Sequence, residues 1–404
     1  MDPEDPARVW TAKADSVYEV NDQPLNESHG APQRLADCPV VLRVPDAHLT
    51  WPVEVWARGV QAAPTTTELD RPRETDPMPG PALEEMLEQM IAARVWSTRL
   101  FNLQRQGRIG TMAPTDGSEA LVVGAAHALD PAVDWVFPQY REQVGLSRFG
   151  DEIIDTQLLY NMGHPAGGRY PDHVKVFPAQ ISLATQVPHA VGFAWGMSLQ
   201  GKPGCVLVFL GDGSTSEGDF YEGGNLAGVR KAPVIIVVVN NGWAISTPLD
   251  AQTAADSFAD KAQAFGMPGV QVDGRDPMAM YEAVGAARAR AVAGDGPSLV
   301  EAVTYRLGPH TTADDPTRYV PPEDLADAKR NDPIVTFAAR LTELGQWDEA
   351  RHDAAHKAAD ERFDLALERA EAVSLKTDAF FDHVFATPTA RMERQRRRIH
   401  EGAG

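Results

Sequence analysis

Asp212 stands inside a Gly211-Asp212-Gly213 turn, and Asn241 ends the pair Asn240-Asn241 about thirty residues later. Both side chains are hard oxygen donors, which suit Mg²⁺ completed by diphosphate oxygens. The flanking glycines would let a backbone come close to a phosphate. An acid inside a phosphate loop repels the phosphate unless a cation lies between them. The pattern is not a Walker loop, because Gly-Lys-Ser/Thr is absent. Nor is it a dinucleotide fingerprint, because Gly211-Asp212-Gly213-Ser214-Thr215-Ser216 lacks the last glycine. A plain βαβ turn with helix-capping residues is the other use of such a stretch, and the paired asparagines tip the balance toward a cation.

Further groups could join this site. Gln139-Tyr140-Arg141 follows a short apolar run, and an aromatic and an arginine at a strand end suit an anionic ligand. Arg306 and His310 follow the last apolar run, where His310 could contact a phosphate or move a proton. A packed Tyr140 with a surface Arg141, and a loop His310 hydrogen-bonded to Asp314 or Asp315, are the alternatives. His164 and His173 lack partner spacing and read as surface residues. Arg391 to Arg398 is a basic run, read as a solvated or subunit-facing helix.

Chemistry of this kind needs a scaffold. Val206 to Leu210 and Val234 to Val239 are apolar runs of strand length, read as buried strands joined by a helix. Parallel strands so joined end on one edge of a sheet, where open α/β folds bind ligands, so Asp212 and Asn241 should lie side by side. Trp135 to Pro138, Gly269 to Asp273 and Ser298 to Tyr305 are the other strands. Helices are expected at Leu83–Gln106, Ser118–Leu129, Leu183–Leu199, Asp256–Ala264, Pro277–Ala293, Ile334–Leu344 and Trp347–Ala372. Residues 151 to 180, dense in Gly, Pro and His, read as a long loop. Residues 1–80 are proline-rich, with one candidate strand at Val40–Val44, and read as an arm lying over a neighbour. This gives three parts: the arm (1–80), an α/β domain (81–330) and a C-terminal helical region (331–404).

The 404 residues are 43% hydrophobic and carry a net charge of −20, enough for a sizeable core and adverse to nucleic-acid binding. Cys38 and Cys205 make neither a disulfide framework nor a cysteine-rich metal site. No basic region precedes an apolar stretch at the start, and no apolar run is long enough to span a bilayer. A cytoplasmic location without membrane or nucleic-acid partners is the expectation.

Several motifs in order resemble a known family. Gly211-Asp212-Gly213 with Asn240-Asn241 resembles the thiamine diphosphate motif. Gln104-Arg105-Gln106-Gly107-Arg108-Ile109, Gln139-Tyr140-Arg141-Glu142, Leu183-Ala184-Thr185-Gln186, Asn241 to Pro248, and Tyr305 to His310 with Asp314-Asp315 look like the alpha subunit of 2-oxoacid dehydrogenases. The resemblance implies a thiamine-diphosphate-binding α/β fold, with a central, mainly parallel sheet flanked by helices, an irregular N-terminal arm and C-terminal helices. It implies that Asp212, Asn241 and the carbonyl of Trp243 hold Mg²⁺. Arg141 and His310 would contact the diphosphate, with His310 as the catalytic candidate. Tyr140, Ser182 and Leu183 would line the pocket, and Gly211 and Gly213 would allow close approach. A beta subunit in an α₂β₂ heterotetramer would bring the missing catalytic glutamate, and a lipoyl-bearing acyltransferase would take the acyl group.

The arm and the His310-Thr311-Thr312-Ala313-Asp314-Asp315 loop lean toward the branched-chain type. The pyruvate type is the alternative, since Gly308-Pro309-His310 also appears in its bacterial members. Acetoin dehydrogenase and a non-catalytic subunit come after these. Departures from the pattern are Val239, where some branched-chain members carry arginine, Trp243 in place of the commoner Tyr, and a shortened loop before Ser182. Thr311 stands where some relatives carry a regulatory phosphoserine.

Overall fold

The computed structural model describes residues 19–20, 23–24, 80–374, 377–381 and 384–402. The chain divides into two units between Glu68 and Leu69. In the first, Glu19–Val20 pairs antiparallel with Gln23–Pro24. The candidate strand at 40–44 and most of the expected arm lie outside the described residues.

The second unit is built on five strands: β1 (Trp135–Phe137), β2 (Val206–Gly211), β3 (Val234–Asn240), β4 (Gly269–Asp273) and β5 (Ser298–Val303). They pair in the order β1-β2-β3-β5-β4, and every pairing is parallel. Their apolar runs are continuous because both faces are covered. Val206, Val208 and Leu210 face α4 (Gln186–Leu199) and α5 (Gly218–Arg230) together with Val234, Ile236 and Val238. The alternate residues Leu207, Phe209, Ile235 and Val237 face α2 (Glu119–His127) and α6 (Pro277–Val292). The period-2 alternation of a strand thus splits one apolar sequence between two cores. At 25 cal/mol per Å², each fully buried Val, Leu, Ile or Phe contributes roughly 1.5–3 kcal/mol.

A third core joins α1 (Gly80–Arg105) to α3 (Ile153–Asn161), α8 (Pro333–Glu343) and α9 (Glu349–Ala372), around Trp96, Phe337 and Phe363. Arg94 ties these layers together by bonding Glu119 of α2 and Asp332, 2.9 Å away, ahead of α8. The helices start where sequence chemistry says they can. Asp276 before Pro277 and Asp332 before Pro333 each accept the N–H two residues on, while the proline needs no donor. The basic run forms α10 (Ala390–His400), capped by Thr389.

Four expectations change. Residues 151–180 are not one loop, because they contain α3, whose Ile153, Ile154 and Leu158 are buried. The Gly, Pro and His that suggested a loop cluster after it. The helix expected from Leu183 begins at Gln186, since Ala184 takes a left-handed backbone. The stretch after Gly211 is first a 3₁₀ turn, Asp212–Ser216, and only then α5. Residues 259–265 are 3₁₀ rather than α-helix, and α7 (Pro322–Arg330) was not anticipated. Among the described residues no helix is long and apolar enough to cross a membrane.

Candidate active site

Four strands deliver the candidate residues to one edge: β1 leads into Gln139, Tyr140 and Arg141, β2 into Asp212, β3 into Asn241, and β5 into Arg306 and His310. Gly211 pairs with Val239, and Asn240 with Val303, so Asp212 and Asn241 leave neighbouring strands at nearly the same height. The ladder continues past the strand ends, since Thr304 N donates to Asn240 O at 2.8 Å.

Asp212 is 2% exposed, yet it forms no ion pair among the described residues. Its carboxylate accepts the N–H of Gly213 at 2.8 Å and the amide of Gln252 at 3.4 Å. Burial pushes this carboxyl above its ordinary range, against those bonds and the more distant Arg306 and Arg141. A buried carboxylate with so little compensation calls for a cation. Asn241 Oδ1 accepts from Trp243 N at 3.2 Å. The Trp243 carbonyl takes one bond from Arg306 Nη1 at 3.2 Å, which leaves a second lone pair. Carboxylate, amide and carbonyl together make a hard-oxygen set suited to Mg²⁺. Among the described residues no group of three or more His, Cys, Asp or Glu is arranged to hold a metal, so a cation here depends on that mixed set.

Positive charge lies beside it. Arg141, 6% exposed, donates to Pro114 O and, at 3.0 Å, to His310 O. Burial holds its guanidinium below the usual range. Arg141 Nη2 also lies 3.3 Å from His310 Nδ1. Because Arg141 can only donate, Nδ1 is the acceptor and the ring proton sits on Nε2. Burial, then Arg141 and Arg306, lower the His310 pKa to about 4, so the ring is neutral at pH 7.

Arg306 fastens the Trp243 turn to the His310 loop. It donates to Ile245 O at 2.7 Å and to the Tyr319 hydroxyl at 2.6 Å. Tyr319 donates to Asp314, which also accepts His310 N at 2.7 Å. The bond to Asp314 considered from the sequence is therefore made by the His310 backbone, and the ring's Nε2 stays available.

A cavity of about 480 Å³ opens at this end, where Tyr140, Arg141, Leu183, Ile245 and His310 line it. Asp212, Asn241, Trp243, Gly211 and Gly213 lie outside that lining, as does the exposed Ser182. The two glycines differ. A Cβ on Gly211 would meet nothing nearer than Gln139 Oε1 at 3.8 Å, leaving that side open to a ligand. On Gly213 it would lie 2.6 Å from Ala244 Cβ, so this glycine is required by the chain's own packing. Val239 is buried in the core on the α2 and α6 side. His164 caps a 3₁₀ turn through Ala166 N, and His173 pairs with Glu152 at the surface.

Three supporting residues were given no role by the sequence reading, although Gln139 and Glu142 stand in its motifs. Gln139 Oε1 accepts from Gly211 N at 2.9 Å and fixes the start of the Asp212 turn. Glu142, buried, accepts the N–H groups of Gln139 and Arg141. Glu301 is fully buried in β5, and its two oxygens accept Asn240 Nδ2 at 2.7 Å and Ala259 N at 3.0 Å. A lone carboxylate inside Ser298-Leu299-Val300-Glu301-Ala302-Val303 was the available signal.

The family described as "Dehydrogenase E1 component" matches residues 87–377. The chain is 40% identical over 296 residues to a protein of Staphylococcus epidermidis named "Pyruvate dehydrogenase E1 component subunit alpha", covering 73% of this chain and 80% of that one. A Staphylococcus aureus protein of the same name matches with the same identity and coverage. With the thiamine diphosphate motif at the strand edge, the match is decisive for family: the chain belongs to the dehydrogenase E1 components, as an alpha subunit of the thiamine-diphosphate-dependent 2-oxoacid dehydrogenases.

Proposed function

We propose that this chain is the alpha subunit of a pyruvate-type 2-oxoacid dehydrogenase that works with a beta subunit and passes its acyl group to a lipoyl-bearing acyltransferase. One observation carries the substrate: 40% identity over most of the chain to proteins named as pyruvate dehydrogenase alpha subunits. That replaces the branched-chain type expected from the sequence, which these relatives do not support. Residues 81–330 are read as the cofactor-binding domain and 331–404 as an appended helical region.

Asp212, Asn241 and the Trp243 carbonyl would hold Mg²⁺. Arg141 would neutralise diphosphate charge from a fixed position, and His310 would donate from Nε2. Gly211 leaves room for the phosphate. Tyr140, Ser182 and Leu183 would border the organic part of the cofactor. Thiamine diphosphate supplies the carbanion chemistry by which a 2-oxoacid loses carbon dioxide. The exposed apolar rim of Ile181, Leu183 and Ile245 supports a partner closing the site. The α₂β₂ assembly and a cytoplasmic setting belong to the same proposal.

Decarboxylation by the chain mixed with a beta subunit, thiamine diphosphate and Mg²⁺ tests this. kcat/KM for pyruvate should exceed that for 3-methyl-2-oxobutanoate at least tenfold, with no turnover by the chain alone. The reverse preference would restore the branched-chain type, and full activity without a partner would remove the need for a beta subunit.

A further inference from the structure

The far wall of the 480 Å³ cavity has chemistry that binding a diphosphate does not use. α3 presents Gln157, Tyr160 and Asn161 to it, at i, i+3 and i+4 and so on one helix face. Gln143 joins them from the loop after β1, while Leu100 and Val144 supply apolar surface between. Gln157 Nε2 donates to Asn161 Oδ1 at 2.7 Å. That bond leaves Gln157 Oε1 and Asn161 Nδ2 without a partner among the described residues. Exchanging O and N in both amides reverses the bond and still leaves one donor and one acceptor. Gln143 is 2% exposed, and its Nε2 has no partner either. Gln143 Nε2 is closed off from solvent, so its missing bond is costly, whereas Gln157 Oε1 and Asn161 Nδ2 stay open to the cavity, where a ligand group can pair them.

We propose that this wall is an acyl-chain subsite that, among 2-oxoacids longer than pyruvate, favours those whose chain ends in an uncharged hydrogen-bonding group, a hydroxyl or carboxamide. A hydroxyl both donates and accepts, which matches the free donor and acceptor of the Gln157–Asn161 pair. The three amides are neutral, and the cation lining the cavity, Arg141, is engaged by Pro114 O and His310 O, so a carboxylate end has no counter-charge at the wall. Pyruvate offers only a methyl group and leaves the wall unpaired. The inference rests on reading the cavity as the 2-oxoacid site.

The experiment compares 4-hydroxy-2-oxobutanoate with 2-oxopentanoate, near-isosteres that differ by a terminal hydroxyl, in the assembled enzyme. kcat/KM should favour the hydroxyl substrate at least tenfold, because a site built for a hydroxyl rejects its apolar analogue. The preference should fall to threefold or less in Gln157→Leu and in Gln143→Leu. These residues lie on different elements, so one variant serves if the other does not fold. Equal use of the two substrates, preference for 2-oxopentanoate, or an unchanged preference in the variants would overturn the subsite. Pyruvate turnover by the unsubstituted enzyme separates the two levels. If pyruvate is consumed but the isosteres are not distinguished, only the subsite falls. If thiamine diphosphate binds and no 2-oxoacid is consumed, the proposed function falls and takes the subsite with it.

Discussion

At the strand edge, Asp212, Asn241 and Arg141 are each less than a tenth exposed; the first two accept N–H groups of their own turns, and Arg141 donates to the His310 loop. At the rim of the same cavity, Ile181, Leu183 and Ile245 are 60%, 39% and 53% exposed. Backbone strain also concentrates there, with φ of +62° at Ala184 and +56° at Ile245. Such angles are uncommon for residues with a side chain, and for β-branched Ile245 the strain is marked. The contrast separates two tasks. The end that meets charge is organised in advance within one chain, because buried charge tolerates little rearrangement. The rim keeps apolar surface and strain that nothing among the described residues offsets.

The largest effect is expected at the organised end. Arg141→Ala leaves Pro114 O and His310 O without their buried donor and should weaken thiamine diphosphate binding on the order of a hundredfold, since charge-assisted bonds are the strong ones. Titration calorimetry on the assembled enzyme reads this, and a change under threefold would mean the edge is less organised than described. The paired glycines come next. Gly213→Ala should lower stability by about 1–3 kcal/mol through the clash with Ala244. Gly211→Ala should stay within about 0.5 kcal/mol in stability while still weakening cofactor binding. Chemical denaturation of both variants separates the roles.

A smaller effect belongs to the rim. Ile245→Gly should stabilise the isolated chain by a few tenths to about 1 kcal/mol, the relief of the left-handed angle being partly offset by glycine's entropy. It should also weaken beta-subunit association, measured by sedimentation. The gentlest probe is pH. His310 has a folded pKa of about 4 against 6.5 unfolded. Its contribution is therefore complete above pH 6.5 and is lost as pH falls toward 4, where the unfolded chain binds a proton that the folded chain refuses. His310→Gln should flatten that part of the stability profile, and an unchanged slope would mean the ring is not buried as described.

Much of the site could be read before any coordinates. Asp212 and Asn241 follow apolar runs that read as buried strands from their length and β-branched content, and parallel pairing then sets them together. Arg141 and His310 were legible for the same reason, each following a strand. What stayed hidden depends on contacts distant in sequence. Nothing near Arg306 says that it reaches Trp243, Ile245 and Tyr319. Nothing near Gly213 says that Ala244 will fill the space above it. Helix α3 was missed because a dense cluster of Gly, Pro and His follows it and outweighed Ile153, Ile154 and Leu158. Glu301 was overlooked although a carboxylate within a buried strand always requires partners.

The most direct test concerns the buried acid. Calorimetric titration of thiamine diphosphate into the assembled enzyme, with and without Mg²⁺, should show strongly Mg²⁺-dependent binding for the unsubstituted protein. For Asp212→Ala, affinity should fall on the order of a hundredfold or more, and the Mg²⁺ dependence should disappear. Binding of equal affinity and equal Mg²⁺ dependence in both proteins would contradict the assignment of Asp212 as the residue that holds the cation.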